Sequence, residues 1–589
     1  MQQYIQQVEA LYNQLLGSAL ITQFIFSGII LSLALGWLIT LNLRPWNHKA
    51  IAFLITQGIG ITVAMQTGGL SIVYPWLMFF PPLVLGSLMW FLKKLFSTQK
   101  EDETTVAFST NKGTKYISLE KHVGVFGSTG AGKTESGFVP IIKHNFKWGL
   151  AQLIFDYKEW ELMEKVYGLA KMVERENLKR AEIGEKTYPL PAIHTICFDD
   201  PNLSDHFNPV APRFLDSMKD VEALATNFFD NLYPGDEGTN FFKDSGSAAF
   251  AGTTWYYKET HPELCTWGMI CATLILASSD QLMQLIDTST RAKVLAAPFM
   301  DGKGNERQLA SVKSSMTAAL KKVCTPEMFM IMNKDELDLD INDPKDPKVL
   351  GIVNNPTYDP VYLPVIALLC RIVMNRISKR KRRPCVIIFD EGSALKFRML
   401  DRVLATLRTF KVLVVWGLQD KVQGAIMYSE NVLKAILTNL TVLFLGKAND
   451  PDTADFYARL FAPRMVKRKS VSRTADGRKT TTISEEEKAK YKSIEFRQRD
   501  PGQFYIIDSK ANDMNVRIKQ TKYEAIAPVK KHNYTAQEIQ DNFDKIFADA
   551  QKFLDEHTTD EHMQPTAAES DQSRVDDPGD PFGLKNDIA

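Results

Sequence analysis

The 589-residue sequence predicts an α/β chain with a mainly parallel sheet, preceded by an α-helical transmembrane anchor. Three observations carry this. Short continuous apolar runs alternate with helical stretches at His122–Phe126, Leu153–Phe155, Thr195–Phe198, Val349–Val353, Val386–Phe389, Val412–Trp416 and Val442–Leu445. Runs without apolar–polar alternation suit strands buried on both faces by crossover helices, which is the α/β pattern. Nearly all the long apolar runs fall before residue 95, although the mean hydropathy is only −0.17. A glycine-rich segment follows the first strand directly.

Composition narrows the field. The length exceeds what a single core sustains and fits about three or four domains. With 70 Lys+Arg against 69 Asp+Glu there is no uniform cationic field, so any polyanion site must be a local patch. The six cysteines lie beyond residue 196 without C-x-x-C pairs or metal-ligand spacing. Neither a disulfide framework nor a zinc site is indicated, and a reducing cytoplasm suits them.

Residues 1–95 read as the anchor, with two or three transmembrane helices. Ala19–Leu41 carries no charge and is long enough for a hydrocarbon core of about 30 Å. Ser71–Leu92 is a second span, with Tyr74, Trp76 and Trp90 near its ends as interfacial belts require. Ile51–Gln66 is shorter and interrupted by polar residues and glycine. Lys93 and Lys94 direct the rest of the chain to the cytoplasm, and Arg44 and Lys49 favour a third span. No basic leader or small-residue cleavage site supports a signal peptide. Ser97–Thr105 reads as a juxtamembrane linker.

Beyond it, 96–213 and 338–530 read as two parts of one α/β domain, interrupted at 214–337 by helical patterns without convincing strands. The basic, Ser/Thr-rich stretch after Ala462 reads as an exposed loop or hairpin. Residues 531–589 comprise a helix over Ala536–Leu554 and an acidic tail whose composition predicts disorder.

Gly127, Ser128, Thr129, Gly130, Ala131, Gly132, Lys133 and Thr134 match G-x-x-x-x-G-K-[ST], directly after an apolar strand as that motif demands. The glycines let backbone N–H groups close around phosphate oxygens, the next helix adds its positive dipole, and Lys133 neutralises β/γ charge. The Thr134 hydroxyl is a Mg²⁺ ligand in such loops. ATP and Mg²⁺ are therefore the expected cofactors. The apolar run ending in Asp390-Glu391 supplies the second half: Asp390 for the metal, Glu391 to polarise the attacking water. By itself such a strand end equally suits a helix cap. Gln419 ends another apolar run and fits either a γ-phosphate sensor or a surface residue opening a helix. Arg408 fits an arginine finger aimed at a neighbouring subunit, or a solvated arginine.

Taken in order, the membrane anchor, Gly127–Thr134, Phe155-Asp156-Tyr157-Lys158, Phe207-Asn208-Pro209 before the helical interval, Asp390-Glu391 and Gly417-Leu418-Gln419 carry a resemblance. Over residues 15 to 520 the chain resembles the type IV coupling proteins, the membrane-anchored hexameric ATPases of bacterial conjugation and type IV secretion. The resemblance implies a RecA-like P-loop nucleotide-binding domain with an inserted all-α domain facing the cytoplasm, and places the arginine finger at Arg408. It also implies an inner-membrane, multi-pass ATPase coupling single-stranded DNA and its relaxase or relaxosome to type IV secretion channel components. Protein effectors or adaptor proteins are the alternative cargo, with DNA incidental. Two departures stand out: Gly392-Ser393-Ala394 replaces the apolar pair that often follows Asp-Glu, and Asp420 replaces the serine that often follows the glutamine.

Two basic clusters remain. Lys379–Arg383 and Arg464–Lys479 each fit sequence-blind contact with a phosphate backbone, or an ordinary solvated face. No base-reading motif accompanies them.

Overall fold

The computed structural model describes residues 6, 7, 10, 101–233, 241–397, 400–473, 479–508 and 513–559. The chain divides into two compact units, Met1–Lys100 and Glu101–Ala589. The predicted spans and the acidic tail lie outside the described residues. Within those residues one helix, Pro356–Ile377, is long and apolar enough to cross a membrane, but most of it is buried in the fold.

The strands in chain order are β1 (Thr105–Thr110), β2 (Gly113–Ser118), β3 (His122–Phe126), β4 (Ala151–Asp156), β5 (Ala192–Cys197), β6 (Lys348–Val353), β7 (Cys385–Phe389), β8 (Val412–Leu418), β9 (Leu440–Leu445), β10 (Arg464–Arg473), β11 (Lys479–Lys488), β12 (Gln503–Asp508) and β13 (Met514–Arg517). Nine of them form one mixed sheet in the order β13-β12-β9-β3-β8-β7-β4-β6-β5. From β9 to β5 every neighbouring pair is parallel, whereas β12 runs antiparallel to both β9 and β13. β4 shows why the apolar runs are continuous: Leu153 and Phe155 enter one core, Ile154 the core on the other face, and all three are fully buried.

Between β5 and β6 the described residues form helices, from Met218–Leu232 to Pro326–Met332, and no strand. The terminal helix runs Ala536–His557, opened by a reciprocal Thr535–Glu538 capping box. It does not stand apart: Phe543 and Phe547 lie 5.2 and 6.0 Å from the Phe329 ring, and Phe553 lies 5.2 Å from Tyr257. The expected juxtamembrane linker is also partly structured, since β1 begins at Thr105 and Glu101 meets the buried His144 ring at 2.9 Å.

β10 and β11 form the separate hairpin anticipated after Ala462. Its basic strand is answered by an acidic one: Met465, Val466 and Lys467 face Glu487, Glu486 and Glu485, with Lys467 3.7 Å from Glu485.

Candidate active site

The parallel order β3-β8-β7 brings three strand ends side by side, and the predicted site residues other than Arg408 follow from them. After β3 the loop turns through left-handed backbone at Gly130 (φ 77°) and Gly132 (φ 85°), where a side chain would be strained. A Cβ at Gly132 would also stand 2.7 Å from the Gly502 nitrogen, which itself donates to the Ala131 carbonyl at 2.9 Å. The loop is tied to both flanking strands: Gly127 N–H donates to Leu418 O (3.1 Å) and Ser128 N–H to Lys447 O (2.7 Å). Lys133 and half-buried Thr134 open a π-helical turn, Lys133–Phe138, that continues into the Val139–Trp148 helix.

Lys133 is buried and its Nζ donates to Gly127 O at 2.7 Å. Burial lowers its pKa, while Glu391 and then Asp390 pull the other way. Asp390 and Glu391, just past β7, are also buried, and burial raises both carboxyls above their ordinary range. Lys133 and Lys158 oppose that rise at Asp390; the Ser393 hydroxyl and then Lys133 do so at Glu391. Ser393 donates to Glu391 Oε1, and Oε2 has no hydrogen-bond partner among the described residues. Gln419 lies close enough to weigh on that carboxylate without meeting hydrogen-bond geometry with it. Its Oε1 accepts from Thr129 Oγ1 at 3.0 Å, which ties the end of β8 to the loop after β3.

Two glycines make this junction possible. A Cβ on Gly417 would fall 2.1 Å from Asp390 O, and one on Gly392 would fall 2.1 Å from the Trp416 ring. Gly392 N–H donates to Gly417 O at 2.8 Å, closing the two strand ends together. The departure at Gly392 thus has a local cause, because the large Trp416 side chain occupies the space.

Arg408 is the exception. It is exposed, in a short 3₁₀ turn before β8, at the strand end opposite Gln419. β8 separates the two ends by roughly 20 Å at about 3.3 Å per residue. Within one chain Arg408 therefore does not meet the site. Lys379, Arg380 and Lys381 precede β7, at the same edge of the sheet, and are exposed; Arg382 is paired with Asp343 (2.7 Å) and Arg383 donates to Trp148 O.

Asp156, Glu161 and Lys165 also surround Asp390 electrostatically. Asp156 and Lys158 belong to a short motif at the end of β4, but Glu161 and Lys165 carry no sequence signal beyond ordinary surface charges. The oxygen donors of Thr134 and Asp390 suit a hard divalent cation, and a buried carboxyl held above its normal range gains from one.

A glycine-rich phosphate loop after β3, with acidic and amide residues after the two adjacent parallel strands, defines a RecA-like P-loop ATPase fold carrying a helical domain. Residues 91–492 match the family described as type IV secretory system conjugative DNA transfer, and the chain belongs to that family. Among solved structures it is similar to the bacterial conjugative coupling protein TrwBΔN70 in its unbound monoclinic form, at 14% identity and TM-score 0.56, covering 74% of this chain and 93% of that one. It is likewise similar to the plasmid coupling protein TrwB in complex with ADP and Mg²⁺, at 15% identity and TM-score 0.55, with the same coverage. Comparison with curated protein sequences returns no match.

Proposed function

We propose that this chain is a membrane-anchored, ring-forming ATPase that couples a DNA–relaxase substrate to a type IV secretion channel and drives conjugative DNA transfer by ATP hydrolysis. The observation that carries the reading is the convergence of Lys133, Asp390, Glu391 and Gln419 at three adjacent strand ends. The nucleotide complexes of TrwB support ATP and Mg²⁺ as cofactors here.

In this reading Gly127–Thr134 hold the phosphates through backbone N–H groups, and Lys133 leaves Gly127 O to neutralise them. Thr134 and Asp390 hold Mg²⁺, which when bound draws charge from the phosphate oxygens. Glu391, raised by burial and free at Oε2, orients the attacking water and takes its proton. Gln419 ties the end of β8 to the phosphate loop through Thr129. Arg408, stationed at the opposite edge, serves the site of a neighbouring subunit in a homo-hexameric ring. The N-terminal apolar runs anchor the ring in the bacterial inner membrane, with the ATPase in the cytoplasm. Exposed Lys379, Arg380 and Lys381 and the basic strand of the β10–β11 hairpin contact the phosphate backbone of single-stranded DNA.

The test is ATP turnover by the full-length chain with single-stranded DNA of graded lengths and salt. Length-dependent stimulation that fades with salt is expected; turnover indifferent to DNA would transfer the reading to protein cargo.

A further inference from the structure

The turn leaving β4 is held with unusual thoroughness. Asp156, fully buried, accepts from the backbone N–H of Leu162 (2.9 Å) and Met163 (2.8 Å) through one oxygen and of Lys158 (3.2 Å) through the other. Asn354, also fully buried, donates its backbone N–H to Asp156 O at 2.8 Å and accepts from Glu159 N–H at 2.9 Å. Its side-chain amide donates to Tyr157 O (3.3 Å) and to Asp359 (2.8 Å). Inside this clamp Glu159 (φ 43°) and Trp160 (φ 68°) are consecutive left-handed residues, neither of them glycine. Strain of that kind persists only where the surroundings over-determine it, and it gathers at functional sites.

The clamp sets the place of Lys158. Asp390 N–H donates to Phe155 O at 3.2 Å, so the end of β4 is bonded to the acidic strand end, and Lys158 follows within three residues. Its ammonium acts electrostatically on Asp390 and on Lys133. Lys133 and Lys158 thus share one site, where the acidic pair offsets part of their repulsion and an added anion would offset more. Lys158 has the freedom to move: its side chain is 37% exposed, and its one ion pair among the described residues is a long 3.8 Å contact with Glu161.

We propose that Lys158 is a second phosphate-binding cation of the nucleotide site, held ready by the strained 157–162 turn and drawn from Glu161 to the terminal phosphate of a nucleoside triphosphate. The proposal rests on the nucleotide-site reading above and adds to it a residue that distinguishes triphosphate from diphosphate. Lys133 answers the phosphates from the loop side; Lys158 answers only the one that reaches toward β4.

Calorimetric titration of the full-length chain in detergent with ADPNP–Mg²⁺ and with ADP–Mg²⁺ tests this, comparing wild type, K133A, K158M, K158R and E161Q. Loss of one charge-assisted contact predicts that K158M weakens ADPNP binding by roughly 10- to 100-fold and ADP binding by less than about threefold. K158R should restore most of the difference, and E161Q, which frees the ammonium, should tighten ADPNP by about two- to fivefold. K158M with a wild-type ADPNP/ADP ratio, or equal loss for both nucleotides, overturns the proposal. If K158M is too unstable to titrate, an ADPNP/ADP ratio in E161Q no higher than that of wild type overturns it equally. Should wild type bind neither nucleotide, the nucleotide-site reading itself fails. Should wild type bind both and K133A neither, that reading stands, and the K158M ratio alone decides the role of Lys158.

Discussion

Replacing Gly417 by alanine tests how closely the acidic strand end must sit against β8. The added Cβ would lie 2.1 Å from Asp390 O and 2.8 Å from Phe389 O, both main-chain atoms. A carbon–oxygen contact normally stays beyond about 3.3 Å, so the β7 end must retreat by roughly 1 Å. That shift stretches the 2.8 Å bond from Gly392 N–H to Gly417 O and carries Asp390 and Glu391 away from Gln419 and Lys133. Overpacking of this kind costs about 1–3 kcal/mol of stability. The catalytic loss should be larger, about 100-fold in turnover for a displacement near 1 Å. Nucleotide binding should fall much less, because the phosphate loop follows β3 and keeps its own bonds. Steady-state ATP turnover, calorimetric ADP affinity and urea unfolding on one preparation separate the three effects. A G417A chain with wild-type turnover would refute the reasoning, since it would mean the acidic pair tolerates displacement or does not act in hydrolysis.

Two further outcomes follow from the same geometry. G132A combines an alanine at φ 85° with a Cβ 2.7 Å from Gly502 N, so ADP affinity should drop by at least about tenfold; retained affinity by calorimetry would remove the loop from the site. His122 is buried as a neutral ring, with Nε2–H donating to Leu404 O (2.7 Å) and Nδ1 accepting from Val414 N–H (3.0 Å). Burial, with help from Arg408, holds its pKa below the ordinary value. The unfolded chain then takes up the proton first as pH falls. This contribution is therefore level above about pH 6.5 and destabilising below it, down to the folded pKa. The urea midpoint should drop between about pH 7 and about pH 5, less so in H122N; equal slopes would show that His122 is not the group responsible.

Much of this arrangement was legible because burial writes itself into composition. Six of the seven anticipated strands lie inside the sheet, and the seventh, β5, is buried over the half that the apolar run marks. β12 carries an apolar run, Phe504–Ile507, that was passed over, whereas β13 was missed because it is a four-residue edge strand in which Asn515 and Arg517 dilute the pattern. β1 and β2 escaped for a similar reason, their half-exposed residues merging with the charged stretch before them. In the site, Gly127–Thr134 and Asp390-Glu391 stand out because their chemistry needs adjacent residues of fixed type. Lys158 falls in the short Phe155–Lys158 motif but without an evident role, and Glu161 does not stand out at all, since a lone charge near a site reads like any solvated one. Gly392 read as a departure from pattern until Trp416, distant in sequence, proved to fill the space above it. The 519–534 segment, without helix or strand, is pinned by bonds such as Ile526 N–H to Glu164 O and Lys531 N–H to Asn202 O, which no composition reports.

The central claim is a site completed by two subunits, with the phosphate loop and acidic pair from one and Arg408 from its neighbour. Mixing the full-length K133A and R408A variants tests it directly. Each alone should lose roughly a thousandfold in ATP turnover. Mixed and reassembled, some interfaces would unite an intact loop from the R408A chain with an intact arginine from the K133A chain, and turnover should return, rising further with single-stranded DNA. Turnover that stays at the level of the separate variants, or an R408A chain that hydrolyses ATP like the wild type, would contradict the shared site.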